Sequence, residues 1–171
     1  PARKLTADQK QLISLGRGLV REDVAAVLMD EPLTVIDPDL KFKLRRNLKE
    51  INEKYKTTLV YVTHDQNEAM TFADNIIVMS EGEVVQTGTP KELFERPKTT
   101  FVGYFIGSPA MNLFESETSS NNSVKINDTL IKTSTDLSKL KNNKVKLGIR
   151  SEFIKIAENQ KENVISVDVE K

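Results

Sequence analysis

Two carboxylic acids at the end of a short apolar run are the first candidates for chemistry. Residues 24–29 are apolar, Asp30 and Glu31 follow at once, and Pro32 interrupts regular pairing. Such a run is typical of a strand buried on both faces of a parallel sheet, and ligands bind at the carboxyl edge of such sheets. Paired acids there suit a hydrated Mg²⁺ and a base that takes a proton from water. The alternative is a strand that ends in an ordinary polar turn.

The only histidine of the chain has a similar setting. Residues 58–63 have the pattern of a second buried strand, and His64 and Asp65 follow it. A single histidine is more often structural than functional, but its place at the end of a predicted strand favours a shared site with the two acids. Asp65 is suited to cap a following helix.

Composition limits the classes of function. The chain has 171 residues, which fits one domain, or one domain plus part of another. Lys+Arg and Asp+Glu are both 25, and a net charge of zero argues against nucleic-acid binding. The absence of cysteine excludes disulfides, thiolate zinc sites and cysteine nucleophiles. No apolar run reaches membrane-spanning length, so we expect any membrane role to come through a partner.

Capping signals place the helices around these strands. Thr6 and Gln9 have capping-box spacing and predict a helix from about residue 7 to 21. Its N-terminus is either an anion site or an ordinary capped helix end. Asp37 and Pro38 begin a second helix. Further along, the patterns predict strands at 75–80 and 83–88 around a turn, then a short helix from 90 to about 96.

The composition changes near residue 107. Residues 116–123 are rich in Ser, Asn, Thr and Glu, which predicts a loop. Short strands are predicted at 123–127, 129–133, 144–150, 153–156 and 164–169. This density of short strands indicates a small barrel or sandwich.

Taken in order, these motifs resemble the ATP-binding subunit of an ABC transporter, in the carbohydrate-importer group that serves maltose, glycerol phosphate and related solutes. Four segments occupy the places of the signature, the Walker B strand, the D-loop and the switch-histidine motif: residues 5–9, 27–31, 33–37 and 62–65. Residues 107–115 and 147–152 are similar to the start of the OB-type accessory domain of this group.

The resemblance implies an α/β fold in two parts. Residues 1–106 would form part of a P-loop-NTPase-type parallel sheet with helices. Residues 107–171 would form an incomplete, all-β OB-like accessory domain of TOBE type.

The resemblance also implies roles for single residues. Glu31 would deprotonate the attacking water, His64 would contact the γ-phosphate of ATP, and Asp30 would bind Mg²⁺ through water. The signature would act in trans on the ATP of a second, identical subunit, and Asp37 would lie at that dimer interface. The implied signature residues are Thr6, Ala7, Asp8 and Gln9.

The implied cofactors are ATP and Mg²⁺, and the implied partners are a second ATPase subunit and membrane-spanning permease subunits, with no nucleic acid. The protein would be cytoplasmic and peripheral at the inner face of the membrane.

The sequence departs from the family pattern in two ways. No glycine is followed by lysine, so the sequence contains no G-x-x-x-x-G-K-[ST] phosphate loop. We therefore expect a C-terminal portion of a subunit that lacks the Walker A half and is inactive alone. Ala7 and Asp8 replace two glycines, whose absence hinders close backbone approach to a phosphate.

Three functions stay open at this point. The chain belongs to an ATPase subunit of a solute importer, or to a non-catalytic interaction module that kept the fold and lost the phosphate loop, or to an ATPase of the DNA-repair or translation branches. A phosphate loop upstream would favour the first over the second, and the balanced charge counts against the third.

Overall fold

The computed structural model describes residues 4–21, 24–140, 142–157 and 162–166. The chain divides into two compact units, Pro1–Ile76 and Ile77–Lys171. Together they form a mixed α/β fold whose later part is rich in β-structure, as the resemblance implied.

The first unit alternates helices and strands in the predicted order. Its β1 and β2 pair in parallel, with Asp30 opposite Val62 at the end of the ladder. The buried apolar residues of this unit include Met29 on β1, Leu33 after it and Leu48 on α2. The elements are α1 Ala7–Leu19, β1 Ala26–Asp30, α2 Pro38–Tyr55, β2 Thr58–Val62 and α3 Gln66–Phe72.

The predicted caps begin the helices of this unit. The Asp37 Oδ1 atom accepts a hydrogen bond of 3.0 Å from the Asp39 amide, directly ahead of α2. At α3, the Asp65 Oδ1 atom accepts from the amides of Asn67 at 2.8 Å and Glu68 at 3.4 Å. These side chains satisfy amides that have no partner within the helix.

The expectation that β1 and β2 are buried on both faces is wrong for this chain. Leu28 is 77% exposed, and Val60 and Val62 are 44% and 52% exposed. Side chains alternate across a strand, so one face of the two-stranded sheet is covered while the other presents apolar groups to solvent. The near-continuous apolar runs in β1 and β2 are nonetheless typical of strands that are buried on both faces.

The second unit starts with a hairpin and two short helices. Strands β3 Ile76–Ser80 and β4 Glu83–Gly88 pair across a two-residue turn. Glu81 and Gly82 both have positive φ, 51° and 81°, which matches the turn type that suits the twist of a hairpin. Helices α4 Pro90–Glu95 and α5 Thr100–Phe105 follow, with Thr89 capping α4 as predicted.

A four-stranded antiparallel sheet completes the second unit in the strand order β7-β6-β5-β8. Its core is a cluster of Val124, Ile126 and Ile131, against which Phe114 and Leu147 pack. The strands are β5 Asn112–Ser120, β6 Ser123–Ile126, β7 Thr129–Lys132 and β8 Lys144–Ile149.

The loop predicted at residues 116–123 is wrong, because β5 continues to Ser120. β5 pairs with β8 up to Glu117 and with β6 from Glu117 to Ser120, and this pairing outweighs the polar composition. Ser116 is buried, and its hydroxyl donates to the carbonyls of Val145 at 3.1 Å and Phe114 at 3.3 Å. A hydroxyl with such partners can occupy a core position.

The strand predicted at 153–156 is also wrong. A 3-10 turn, Ser151–Phe153, takes its place, and residues 154–157 are not in a strand. Of the strand predicted at 164–169, residues 164–166 are not in a strand, and 167–169 lie outside the described residues.

A buried guanidinium joins the two short helices to the sheet. Arg150 is 3% exposed and follows β8. Its Nη1 atom donates to the carbonyls of Gly103, at 3.0 Å, and Ile106, and its Nη2 atom donates to the carbonyl of Phe94 at 3.0 Å. Its charge also lies 4.2 Å from the centroid of the Phe94 ring. One cation thus satisfies carbonyls at the C-terminal ends of both helices, where positive charge is favourable.

Replacing this cation should destabilise the second unit. We expect Arg150→Met to lower the free energy of unfolding by about 2–4 kcal/mol, because it leaves three carbonyls without their charged donor. Urea denaturation followed by circular dichroism measures the loss.

Lys146→Met, on the strand that precedes Arg150, is the matched control. Lys146 is about half exposed and pairs with Glu115 at 2.8 Å, so its loss should cost less than about 1 kcal/mol. Equal losses for the two variants would contradict the role given to Arg150.

Candidate functional site

Two residues that closely follow paired strands meet at one edge of the β1–β2 sheet. Glu31 comes directly after β1, and His64 lies two residues after the end of β2. The Glu31 amide donates to the Val62 carbonyl at 2.9 Å, which extends the ladder by one bond. Because parallel strands end at the same edge, the pairing brings these two side chains within contact.

The Glu31 carboxylate is held by His64 and Thr34. Its Oε1 atom lies 2.6 Å from His64 Nδ1 and accepts a hydrogen bond of 3.0 Å from the His64 amide. Its Oε2 atom accepts from the Thr34 hydroxyl at 2.9 Å. Both oxygens are therefore occupied, and the imidazole Nε2 is the ring nitrogen that does not face the acid.

The contact changes the acidity of both groups. The hydrogen bond from His64 holds the pKa of the Glu31 carboxyl below its ordinary value, against the opposing effect of burial. The same bond and the charge of Glu31 raise the pKa of His64 above its ordinary value. The pair therefore favours a carboxylate facing a protonated imidazole.

The backbone of Glu31 is strained. Its φ is 46°, in the left-handed region that a residue with a long side chain seldom adopts. Such conformations cost about 1–3 kcal/mol and cluster at functional sites. Here the turn is fixed by neighbouring bonds, including that from the Gln11 amide group to the Pro32 carbonyl at 2.9 Å. The backbone strain therefore identifies Glu31 as a candidate site residue independently of its side-chain contacts.

Asp30 occupies the last position of β1 and is exposed. Together with Gln11 and Pro32 it lines a cavity of about 140 Å³ between α1 and β1. No cluster of three or more His, Cys, Asp and Glu side chains suited to a metal ion occurs in the described part of the chain. One carboxylate beside an open edge still fits Mg²⁺, which is commonly held by one or two carboxylates plus water and substrate phosphates.

The segment predicted to act as the signature forms a separate cluster at the start of α1. The Thr6 amide donates to the Gln9 side chain at 3.2 Å, and the Thr6 hydroxyl donates to the Asp8 carboxylate. That hydroxyl holds the pKa of Asp8 below its ordinary value. These polar groups bond to one another rather than to Glu31 or His64, and Asp37 likewise serves its own helix.

Four residues around His64 were not predicted from the sequence as site residues. Glu68 is buried on α3 and accepts hydrogen bonds from Tyr61 and Thr63, with Arg45 opposite. In the sequence, Glu68 stands three residues after the capping Asp65, a spacing that indicates only the start of a helix. The signal that could have found the cluster is an acid on a helix that follows Tyr61 and Thr63, which occupy alternate positions at the end of the predicted strand.

Comparison with known proteins gives one matching family model. The MalK OB fold domain matches residues 107–154. This match covers β5 to β8 and confirms the small β-rich OB-fold part of the chain. The match starts at the residue where the composition changes.

Curated relatives match most of the chain. The sn-glycerol-3-phosphate import ATP-binding protein UgpC of Brucella abortus (strain 2308) is 50% identical over 114 residues, which are 67% of this chain and 32% of that protein. The UgpC protein of Psychromonas ingrahamii is 40% identical over 156 residues, 91% of this chain and 41% of that protein. The oligosaccharides import ATP-binding protein MsmX of Bacillus subtilis (strain 168) is 45% identical over 128 residues, 75% of this chain and 33% of that protein.

The matched region thus spans about a third of the length of most of these relatives. Among the described residues, no helix is both long and apolar enough to cross a bilayer. The matches confirm the predicted resemblance: over about a third of their length, the chain is similar to import ATP-binding proteins of the carbohydrate-importer group of ABC transporters.

Proposed function

We propose that the complete protein is the ATP-hydrolysing subunit of an importer for a sugar or a related solute. The observation that carries the proposal is the Glu31–His64 pair, 2.6 Å apart at the ends of two parallel strands. The relatives support it, since their names describe ATP-binding proteins for import of glycerol phosphate and oligosaccharides.

On this proposal three side chains at the sheet edge share the chemistry. Glu31 takes the proton of the attacking water, His64 contacts the γ-phosphate through its free ring nitrogen, and Asp30 holds Mg²⁺ through water. The metal, when bound with ATP, neutralises developing charge on the phosphate oxygens. Few groups are needed, because phosphoryl transfer is catalysed mainly by positioning and charge stabilisation.

The hydrogen bonds made by Glu31 bear on its strength as a base. Hydrogen bonds from His64 and Thr34 lower the pKa of Glu31 and so make it a weaker base. A γ-phosphate that attracts the protonated His64 would draw the ring away from Oε1. The freed carboxylate oxygen would then be available to a water molecule, so the base would gain strength when substrate is present.

The remaining roles rest on the family relationship. The complete protein would use a P-loop-type parallel sheet, of which β1 and β2 are two strands, and a second copy whose Thr6 to Gln9 segment reaches the ATP in trans. Asp37 would lie at the interface of the two copies. Permease subunits would carry the solute, with the protein at the cytoplasmic face of the membrane. Nucleic acid is not expected as a partner, given the balanced charge.

These 171 residues alone are not expected to bind ATP. Their sequence contains no phosphate loop, and the backbone cradle and lysine of that loop supply most of the contact with a triphosphate. Experiments on hydrolysis therefore require the complete subunit.

Glu31→Gln in the complete subunit tests the proposed base. The amide keeps the shape of the side chain but cannot accept the proton, so we expect ATP binding to persist while hydrolysis falls about 10²–10⁴-fold. Phosphate release and nucleotide titration measure the two properties.

The same substitution at Glu50, an exposed residue of α2 paired with Arg46, is the control and should leave turnover unchanged. Near-normal hydrolysis by the Glu31 variant would remove this residue from the role of base.

The ion pair itself has a pH signature in this chain. His64 is the only histidine, so its ring resonances can be followed by NMR without assignment. The bond to Glu31 should raise the pKa of His64 above the value in the unfolded chain, and Glu31→Gln should return it towards that value.

The sign of the effect follows from both partners. The contribution of His64 is full below its unfolded pKa and is lost as pH rises through its folded pKa. That of Glu31 is full above its unfolded pKa and is lost as pH falls through its lowered folded pKa. The ion pair is therefore strongest at pH values between the folded-state pKa of Glu31 and that of His64. The same His64 pKa in the parent and in Glu31→Gln would contradict the pairing.

One observation favours a second function, a non-catalytic interaction module. The start of α1 presents Asp8, whose carboxylate is kept ionised by the Thr6 hydroxyl. A fixed negative charge at this helix N-terminus competes with a phosphate for the same amides. A chain that no longer used the signature for nucleotide would tolerate such a residue.

Restoring glycine at both positions separates the two functions. In the complete subunit, Ala7→Gly with Asp8→Gly should strengthen ATP-dependent dimerisation, because a carboxylate and two side chains leave a phosphate-facing turn. Sedimentation with and without Mg-ATP measures the dimer.

Asp8→Asn, which removes only the charge, should give part of the gain. Unchanged or weaker dimerisation in the double variant would favour the non-catalytic function.

A further inference from the structure

A buried carboxylate with four partners lies beside the candidate site. Glu68 on α3 is 3% exposed. Its Oε2 atom accepts hydrogen bonds from the Tyr61 hydroxyl at 2.8 Å and the Thr63 hydroxyl at 3.1 Å. Its Oε1 atom faces Arg45 Nη1 at 3.5 Å and Lys41 Nζ at 3.9 Å, both on α2. The group therefore ties α2, the end of β2 and α3 together.

The partners account for the burial of this charge. An isolated carboxylate is costly to remove from water, but hydrogen bonds and nearby cations offset the cost. Burial and the Glu68 charge raise the pKa of Tyr61, so its phenol stays protonated and donates. Arg45 and Lys41 are mostly shielded, with side chains 20% and 23% exposed. Each oxygen of Glu68 thus has a fixed set of neighbours.

The bond to Thr63 reaches the loop that carries His64. The Thr63 hydroxyl donates to Glu68 and accepts a hydrogen bond of 3.0 Å from the Asp65 amide. Of the two chain neighbours of His64, Thr63 is therefore bonded directly to the buried anion, and Asp65 is linked to it through the Thr63 hydroxyl. Between Thr63 and Asp65, the His64 amide donates to Glu31 Oε1 at 3.0 Å, and the Nδ1 atom of the His64 ring contacts the same oxygen.

We propose that Glu68 is a positioning residue, which acts through the Thr63 hydroxyl to hold the 63–65 loop in the conformation that presents His64 to Glu31. The importance of Glu68 for catalysis rests on the function proposed above, whereas its effect on the 63–65 loop rests on these hydrogen bonds alone. Glu68 touches neither the reacting groups nor Glu31 in this arrangement.

A second, indirect connection joins Glu31 to His64 by way of α2. Glu31 and α2 are joined by the turn at 31–36, and α2 carries the two cations that face Glu68. The acid and the histidine are thus connected both directly and by way of α2, Glu68 and Thr63. Position and orientation of His64 are fixed from two sides, which is what a reacting group requires.

The test measures the rate of hydrogen exchange of the His64 amide in this 171-residue chain, without nucleotide. Thr63→Val keeps the shape of the side chain and removes the hydroxyl. We expect the His64 amide to exchange with water about tenfold faster or more, while amides within β2 change less than about twofold. NMR exchange spectroscopy on ¹⁵N-labelled protein gives both rates in one sample.

Two variants separate positioning from general stability. Thr63→Ser keeps the hydroxyl and should restore the parent rate. Tyr61→Phe removes a hydrogen bond from the same Glu68 oxygen without touching the loop, so it should lower the unfolding temperature and leave the His64 rate within about twofold of the parent. Thr71→Val, which removes a hydroxyl that bonds to the Asn67 carbonyl within α3, is a control for the substitution itself.

Two results would overturn the proposal: a His64 rate in Thr63→Val that matches the parent, or an equal acceleration in Tyr61→Phe. If Thr63→Val does not fold, Thr63→Ala is judged by the same rates. Because no nucleotide is present, these outcomes are independent of the Glu31→Gln hydrolysis result. A confirmed link with normal hydrolysis in Glu31→Gln would leave the positioning intact and refute only the proposed base.

Discussion

The parallel register of β1 and β2 is the constraint on which the candidate site depends. Asp30 lies opposite Val62, so each strand delivers its next residues to the same edge. A shift by one residue would turn every side chain to the other face and separate the acid from the histidine. Two sequence-distant groups can therefore meet at 2.6 Å without a dedicated loop between them. The strained φ of Glu31 completes the geometry, because it turns the chain back as soon as the ladder ends.

Much of this site could be predicted from the sequence, because its main determinants are local. An apolar run followed by acids, and a second run followed by the only histidine, were enough to place Asp30, Glu31 and His64 at one sheet edge. The caps at Thr6, Asp37 and Asp65 were also readable, since capping depends on residues within one turn. The roles of these residues in catalysis remain predictions.

The rest depends on contacts that a linear pattern does not contain. The buried state of Glu68 needs partners from α2 and β2, and a glutamate on a helix is ordinarily exposed. The continuation of β5 through 116–120 depends on pairing first with β8 and then with β6, whereas its polar composition alone indicates a loop. The uncovered faces of β1 and β2 show the opposite case: the pattern of buried strands was present, but the described chain covers only one side. Composition therefore predicts whether a strand is suited to burial, whereas tertiary contacts decide whether its faces are covered.

The attachment of Arg150 to the carbonyls of Phe94, Gly103 and Ile106 matters for exchanging accessory domains between relatives. A chimera joined at residue 106 would take the guanidinium from one parent and its acceptors from the other. Backbone carbonyls are present whatever the residue type, so hydrogen bonding would survive if the helix ends keep their positions. The Phe94 ring beneath the cation is a side chain, however, and would have to match. A junction placed before the β3–β4 hairpin takes Arg150, the Phe94 ring and the ends of both helices from the same parent.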